Sequence, residues 1–121
     1  MRTVLDTSAL LRFFTNDVPQ KAAEVEHVLK TEKHIIVPEV VLPELEYVLS
    51  GVYNQTRDQI LHIFRFLVAQ KHIIFESHIM LAVSYYEHTT LDMADCMIAA
   101  QAKKGKLVSF DKRLLKCVEG S

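Results

Sequence analysis

Apolar residues recur along this 121-residue chain with two different periods. Four short runs, 3–5, 35–37, 73–75 and 107–110, read as strands, the second of them wholly β-branched, and between them apolar positions fall three or four apart, as on a helix with one buried face. The first such helix opens at Ser8 and stops near Asn16. Pro19 sits in the first turn of the second, where Ala22, Ala23, Val25, Val28 and Leu29 form the buried stripe and Lys21, Glu24, Glu26 and Lys30 the wet side. A third helix carries Val40, Val41, Leu45, Val48 and Leu49 and ends before Gly51; Pro43 requires it either to start near Leu42 or to bend. Thr56 and Gln59 match a capping box for a helix running to about Gln70, and 79–86 is the next. Thr89 and Thr90 offer hydroxyls to cap a helix that begins at Leu91 and ends at Gly105, and 112–118 is the last.

Strands alternating with helices predict an α/β fold: one three-layer α/β/α domain over residues 1–121, with a central parallel sheet of four or five strands. Half the residues are hydrophobic, enough for one core, while three Gly and three Pro are too few for a turn-rich sandwich or barrel. The N-terminus lacks a basic region followed by a long apolar core, and no run approaches membrane-spanning length, so a soluble, cytoplasmic protein is expected. Cys96 and Cys117 form neither a disulfide framework nor a CxxC pair and read as reduced, packed thiols. The formal charge of -1 is unevenly spread: residues 1–95 hold eight Lys/Arg against thirteen Asp/Glu, and the remaining 26 hold six basic residues against two acids. A local basic patch is therefore compatible with the near-neutral total.

The candidate chemistry lies in acids at awkward places. Residues 91–102, LDMADCMIAAQA, put Asp92 and Asp95 three apart inside one of the most apolar helical runs, where a carboxylate needs something positive to compensate it. Asp6 and Asp111 each follow a predicted strand, and Glu44 lies in the early turns of the third helix. In an open parallel sheet, sites form outside the carboxyl ends of the strands, where strand order reverses. If the first and fourth strands are neighbours there, Asp6 and Asp111 meet, and Glu44 and Asp92/Asp95 project into the same crevice. An oxygen-only cluster without His or Cys favours Mg²⁺ or Mn²⁺, which suits phosphodiester hydrolysis because no Ser or Cys nucleophile is then needed.

Each acid has a plainer role as well. Asp6 and Asp111 precede helices and can serve as N-caps, although Thr7 and Ser8 offer the first helix another; Glu44 has Glu39 and Glu46 as rivals. Asp92 fits a dipole-complementing first turn better than Asp95, which lies further in among Ala94, Cys96, Met97 and Ile98. The six histidines show no ligand spacing, and the chain has no Gly-rich phosphate loop. Tyr85 and Tyr86 are expected to pack against a neighbouring helix rather than stack on bases.

Four blocks in order, VLDTSALLRFF at the start, VVLPELEYVL around Glu44, LDMADCMIAA around Asp95 and LVSFDKRL around Asp111, resemble the PIN-domain family over essentially the whole chain. The length and the bare domain look like a VapC-type toxin of a toxin–antitoxin pair. The resemblance implies a parallel sheet wrapped by helices and a Mg²⁺- or Mn²⁺-dependent endoribonuclease. It further implies an RNA substrate, a small antitoxin laid over the acidic cleft, and homodimers, with apolar surface on the early helices as the interface. By position, Asp6, Glu44, Asp95 and Asp111 are implied as the catalytic and metal-binding quartet, with Asp92 a candidate helper and Ser8 and Ser109 supporting polar positions. Pro43 directly before Glu44 departs from the family pattern, and with ten residues after Asp111 a fifth edge strand is expected to be short or missing. Arg12, Lys103, Lys104, Lys112 and Arg113 are the candidates for contact with RNA phosphate.

Other classes compete with this reading. A receiver-like phosphoacceptor domain shares the length and fold class, but it wants paired acids after the first strand and a phosphoacceptor Asp after the third. Here Asp6 is followed by Thr7, and the third strand's end offers Glu76. A PIN-domain RNA-processing nuclease outside a toxin system, or a scaffold that binds RNA or a partner, is the nearer alternative; the presence of all four acids argues against a scaffold.

Overall fold

Each strand contributes only two residues to the sheet: β1 (Thr3–Val4), β2 (Ile35–Ile36) and β3 (Ile73–Ile74) lie in the order β1-β2-β3 in a computed structural model, which describes residues 2–120. All six are Thr, Val or Ile, whose branched Cβ suits a pleated surface. The pairing is parallel, with Thr3 opposite Ile35 and Ile35 opposite Ile73. Bonds from Leu5 N to Ile36 O at 3.0 Å and from Ile35 N to His72 O at 2.9 Å fix that register. The expected domain limits, 1 and 121, lie outside the described residues.

The chain divides after Phe75 into two compact units. The first holds the sheet and four helices, α1 (Thr7–Thr15), α2 (Pro19–Thr31), α3 (Val41–Gly51) and α4 (Arg57–Ala69). α1 packs on α2 and α3, and α3 on α4. Leu10, Leu42, Leu45, Leu49, Phe64 and Leu67 are fully buried, each worth roughly 1.5–3 kcal/mol of transfer free energy. Asn16 ends α1 in the left-handed conformation at φ 53°, which Asn tolerates well. Thr56 and Gln59 complete both arms of the capping box of α4, with bonds of 3.2 and 2.8 Å. Pro43 is the third residue of α3, within the first turn, where an amide has no helical partner to lose, and so it neither delays nor breaks the helix.

The second unit holds α5 (Ile79–His88), α6 (Met93–Ala102) and α7 (Lys112–Glu119), with α6 packed on both α5 and α7. That double contact explains the apolar composition of α6, which buries Met93, Cys96, Ala99 and Ala100. α7 is narrower in its demands and fully buries only Leu114. Cys96 is buried and Cys117 half-buried, both as free thiols. No helix among the described residues is long and apolar enough to cross a membrane.

The α/β class and parallel pairing match expectation, but the sheet has three strands among the described residues, not four or five. Residues 107–110 form no strand. There, the Ser109 hydroxyl accepts the Asp111 amide at 3.0 Å, a local turn bond that competes with a ladder, while Val108 is 80% and Phe110 100% exposed. β1 pairs with β2, and the strand order follows the sequence, so the three strands contain no reversal point. The crevice inferred from a β1–fourth-strand neighbourhood therefore has no basis in this sheet.

Candidate functional site

Asp6 and Glu44 belong to the first unit. Asp6 follows β1 and is the N-cap of α1, displacing Thr7 and Ser8 from that role. Its Oδ1 accepts the Ala9 amide at 3.0 Å and the Ser8 hydroxyl at 2.8 Å. The Ala9 amide first, and the Ser8 hydroxyl second, hold the Asp6 carboxyl below the usual carboxylate range. Glu44 is exposed in the first turn of α3, and Thr7 donates its hydroxyl to Glu44 Oε1. A cavity of about 420 Å³ lies against Thr7, Pro43, Glu44, Tyr47 and Val48. Thus Ser8 and Thr7, adjacent in sequence, each orient one acid. In the sequence Thr7 reads as an alternative cap, and the signal for its contact with Glu44 is the pair of consecutive hydroxyls behind Asp6.

Asp92, Asp95 and Asp111 belong to the second unit. α6 is capped by Asp92, whose Oδ1 accepts the Asp95 amide at 2.9 Å, and not by Thr89 or Thr90. Thr89 instead donates to Tyr85 O at 2.7 Å and accepts from the Leu91 amide at 3.2 Å, which shapes the turn between α5 and α6. Asp95 consequently stands in the first turn of α6, not deeper, and the helix ends at Ala102 rather than at Gly105. Asp111 caps α7, its Oδ1 accepting the amides of Arg113 at 3.0 Å and Leu114 at 3.2 Å.

Two neighbouring acids act on Asp95. Burial, then the charge of Asp92, then that of Asp111, push the Asp95 carboxyl above the usual carboxylate range, against an opposing pull from Arg113. Asp95 is half-buried, whereas Asp92 and Asp111 are exposed. Arg113, expected at RNA phosphate, also reaches Thr90 O at 3.4 Å. Lys103, Lys104 and Lys112 are exposed. In the first unit, Arg12 is engaged by Asp17 at 2.8 Å; that carboxyl also accepts Tyr53 Oη at 2.9 Å and Thr15 Oγ1 at 3.0 Å. The Tyr53 hydroxyl chiefly, helped by Arg12 and Thr15, holds Asp17 below the usual range.

Among the described residues, no group of three or more His, Cys, Asp or Glu side chains is arranged to hold a metal ion. The donor chemistry of the second unit nonetheless suits a hard cation. Asp95 is short of positive charge, and capping engages only Oδ1 of Asp92 and of Asp111.

Comparison with known families places residues 3–119 in a match to the PIN domain. No curated protein matches the chain.

Proposed function

Because the chain belongs to the PIN-domain family, whose members are generally metal-dependent nucleases, we propose that it is an endoribonuclease that hydrolyses RNA phosphodiester bonds with Mg²⁺ or Mn²⁺. The observation that carries the proposal is the match to the PIN domain over residues 3–119, and the placing of Asp92, Asp95 and Asp111 at the starts of α6 and α7 agrees with it. A divalent cation, when bound, would offset the charges that neighbouring acids exert on Asp95 and would supply Lewis-acid polarisation of a phosphate. Asp95, Asp111 and, in a helping role, Asp92 would hold it in the second unit, and Asp6 and Glu44 are the acids assigned to the same reaction by their motif positions.

The chain's own residues divide the remaining work. Ser8 and the Ala9 amide keep Asp6 ionised, the form that would hold a cation. Thr7 fixes one oxygen of Glu44 and leaves the other free of that bond. Ser109 shapes the turn into α7 and so aims Asp111. Arg113 supplies a cation for the phosphate of a bound strand.

The finer reading is a toxin of a toxin–antitoxin pair, homodimeric and cytoplasmic. Its support is the motif resemblance and the exposed Val40, Tyr47, Val52 and Phe66 on or beside the early helices. The nuclease assignment is tested by cleavage of a structured RNA with Mn²⁺, with and without EDTA. Loss of cleavage in EDTA and in Asp95→Asn at unchanged melting temperature supports it; retained cleavage in the folded variant refutes it. Induced expression that leaves growth unaffected would remove the toxin role alone.

A further inference from the structure

A cavity of about 630 Å³ in the second unit has not entered the reaction so far. Its wall includes Tyr85, Thr90, Leu91, Arg113, Lys116 and Cys117, drawn from the end of α5, the turn before α6 and the face of α7. Three features mark it as more than a packing defect. Its volume is that of a small-molecule site. Tyr85 is 9% exposed, and its hydroxyl is buried without a hydrogen-bond partner among the described residues, an arrangement that native structures avoid unless something else satisfies the group. Finally, Arg113 and Lys116 put cationic groups on a wall that is otherwise apolar or neutral, and Arg113 is the arginine whose charge acts on Asp95.

We propose that this cavity is a nucleotide subsite, taking one base of the RNA strand with Tyr85 Oη hydrogen-bonded to the base and Arg113 and Lys116 holding the attached phosphate. The proposal rests on the nuclease reading for its substrate class. An open, mostly apolar cleft edged by Tyr85 and by the polar Ser84, His88, Thr89 and Thr90 fits a base, whose faces are apolar and whose edge is polar, and the adjoining cations fit a phosphodiester. Arg113 lines the cleft and its charge also acts on Asp95, so it is the residue that links the subsite to the acid group.

The test is an NMR titration of the full chain in EDTA, using 5′-nucleoside monophosphates, ribose 5-phosphate, inorganic phosphate and an acidic apolar peptide as separate probes. Without metal, cleavage and metal-bridged phosphate binding are both removed. The expected result is binding of at least one mononucleotide, with shifts at Leu91, Cys117 and Gly120, more tightly than ribose 5-phosphate or inorganic phosphate. Tyr85→Phe, which keeps the ring, should weaken that nucleotide about threefold to tenfold while leaving inorganic phosphate unchanged. Lys116→Ala should weaken nucleotide and phosphate together. Equal binding of nucleotide and inorganic phosphate, no effect of Tyr85→Phe, or a response to the peptide alone each overturns the subsite. Failure of the nuclease reading is separable, since it shows as no EDTA-sensitive cleavage by the parent or as cleavage retained in Asp95→Asn, whatever the mononucleotides do.

Discussion

Asp6 and Asp95 are both aspartates at the start of a helix, yet their surroundings push them in opposite directions. Asp6 is exposed and already supplied with an amide and a hydroxyl, so its charged form is favoured. Asp95 is half-buried, spends its backbone amide on Asp92 and faces that residue's charge and Asp111's, so its charged form is disfavoured. The difference lies in where each stands relative to the cap. An N-cap side chain faces the free amides of the first turn, whereas one three residues on has its own amide taken by the cap. One carboxylate is therefore held in its charged form by its own helix start, and the other is not.

The sharpest way to break this contrast is to neutralise each acid in turn. Asp95→Asn and Asp6→Asn should each cost at least about 100-fold in metal-dependent RNA cleavage, by analogy with removing one preorganised charge-stabilising group. Their stabilities should diverge. Asp95 binds its proton more tightly in the folded than in the unfolded chain, so its favourable contribution is complete below the ordinary value of 3.8 and is lost as pH rises through the raised folded value. At pH 7, Asn removes that cost, and Asp95→Asn should melt no lower than the parent. Asp6 runs the other way: its contribution is present above 3.8 and lost as pH falls through the lowered folded value, so Asp6→Asn should melt lower at pH 7 and match the parent in acid. Thermal melts from pH 3 to 7 read both signs.

A smaller effect should follow from adding the cation. With Mn²⁺ a hundredfold above its dissociation constant, the parent should melt roughly 10 °C higher and Asp95→Asn should gain much less. Equal gains in the two proteins would place the ion elsewhere. Smallest is the purely structural share of the caps: Asp111→Ala should cost about 1 kcal/mol in urea unfolding and Asp111→Asn only a few tenths, because Asn caps a helix nearly as well as Asp. A loss in Asp111→Asn as large as that in Asp111→Ala would mean that charge, not capping, holds α7.

Much of the helical architecture was legible in the residues because a helix is written locally. The period of Ala22, Val25 and Leu29 and the Thr56/Gln59 box each needed only neighbours to be read, and both appear in place. The fourth strand failed for the opposite reason: 107–110 has strand-like residues, but a strand exists only through a partner, and the local bond to Ser109 won instead. The acids were visible as candidates, and the N-cap role was foreseen for Asp6 and Asp111. What sequence could not supply was the sign of each acid's environment, because burial and through-space charge come from packing. Tyr85 shows the same limit. Its burial followed from the apolar pattern, but the unpaired hydroxyl and the chamber beside it exist only once α5 and α7 are placed.

The bond from Thr7 to Glu44 and the bond from Tyr53 to Asp17 join α1 and α3 at both their beginnings and their ends. Two helices tied start to start and finish to finish run in the same direction, so their peptide dipoles lie side by side and repel. Such an alignment concentrates the positive ends of both helices at the place where Asp6 and Glu44 stand. The two carboxylates stand where they offset that repulsion. Removing either acid should therefore loosen the helix pair as well as the chemistry.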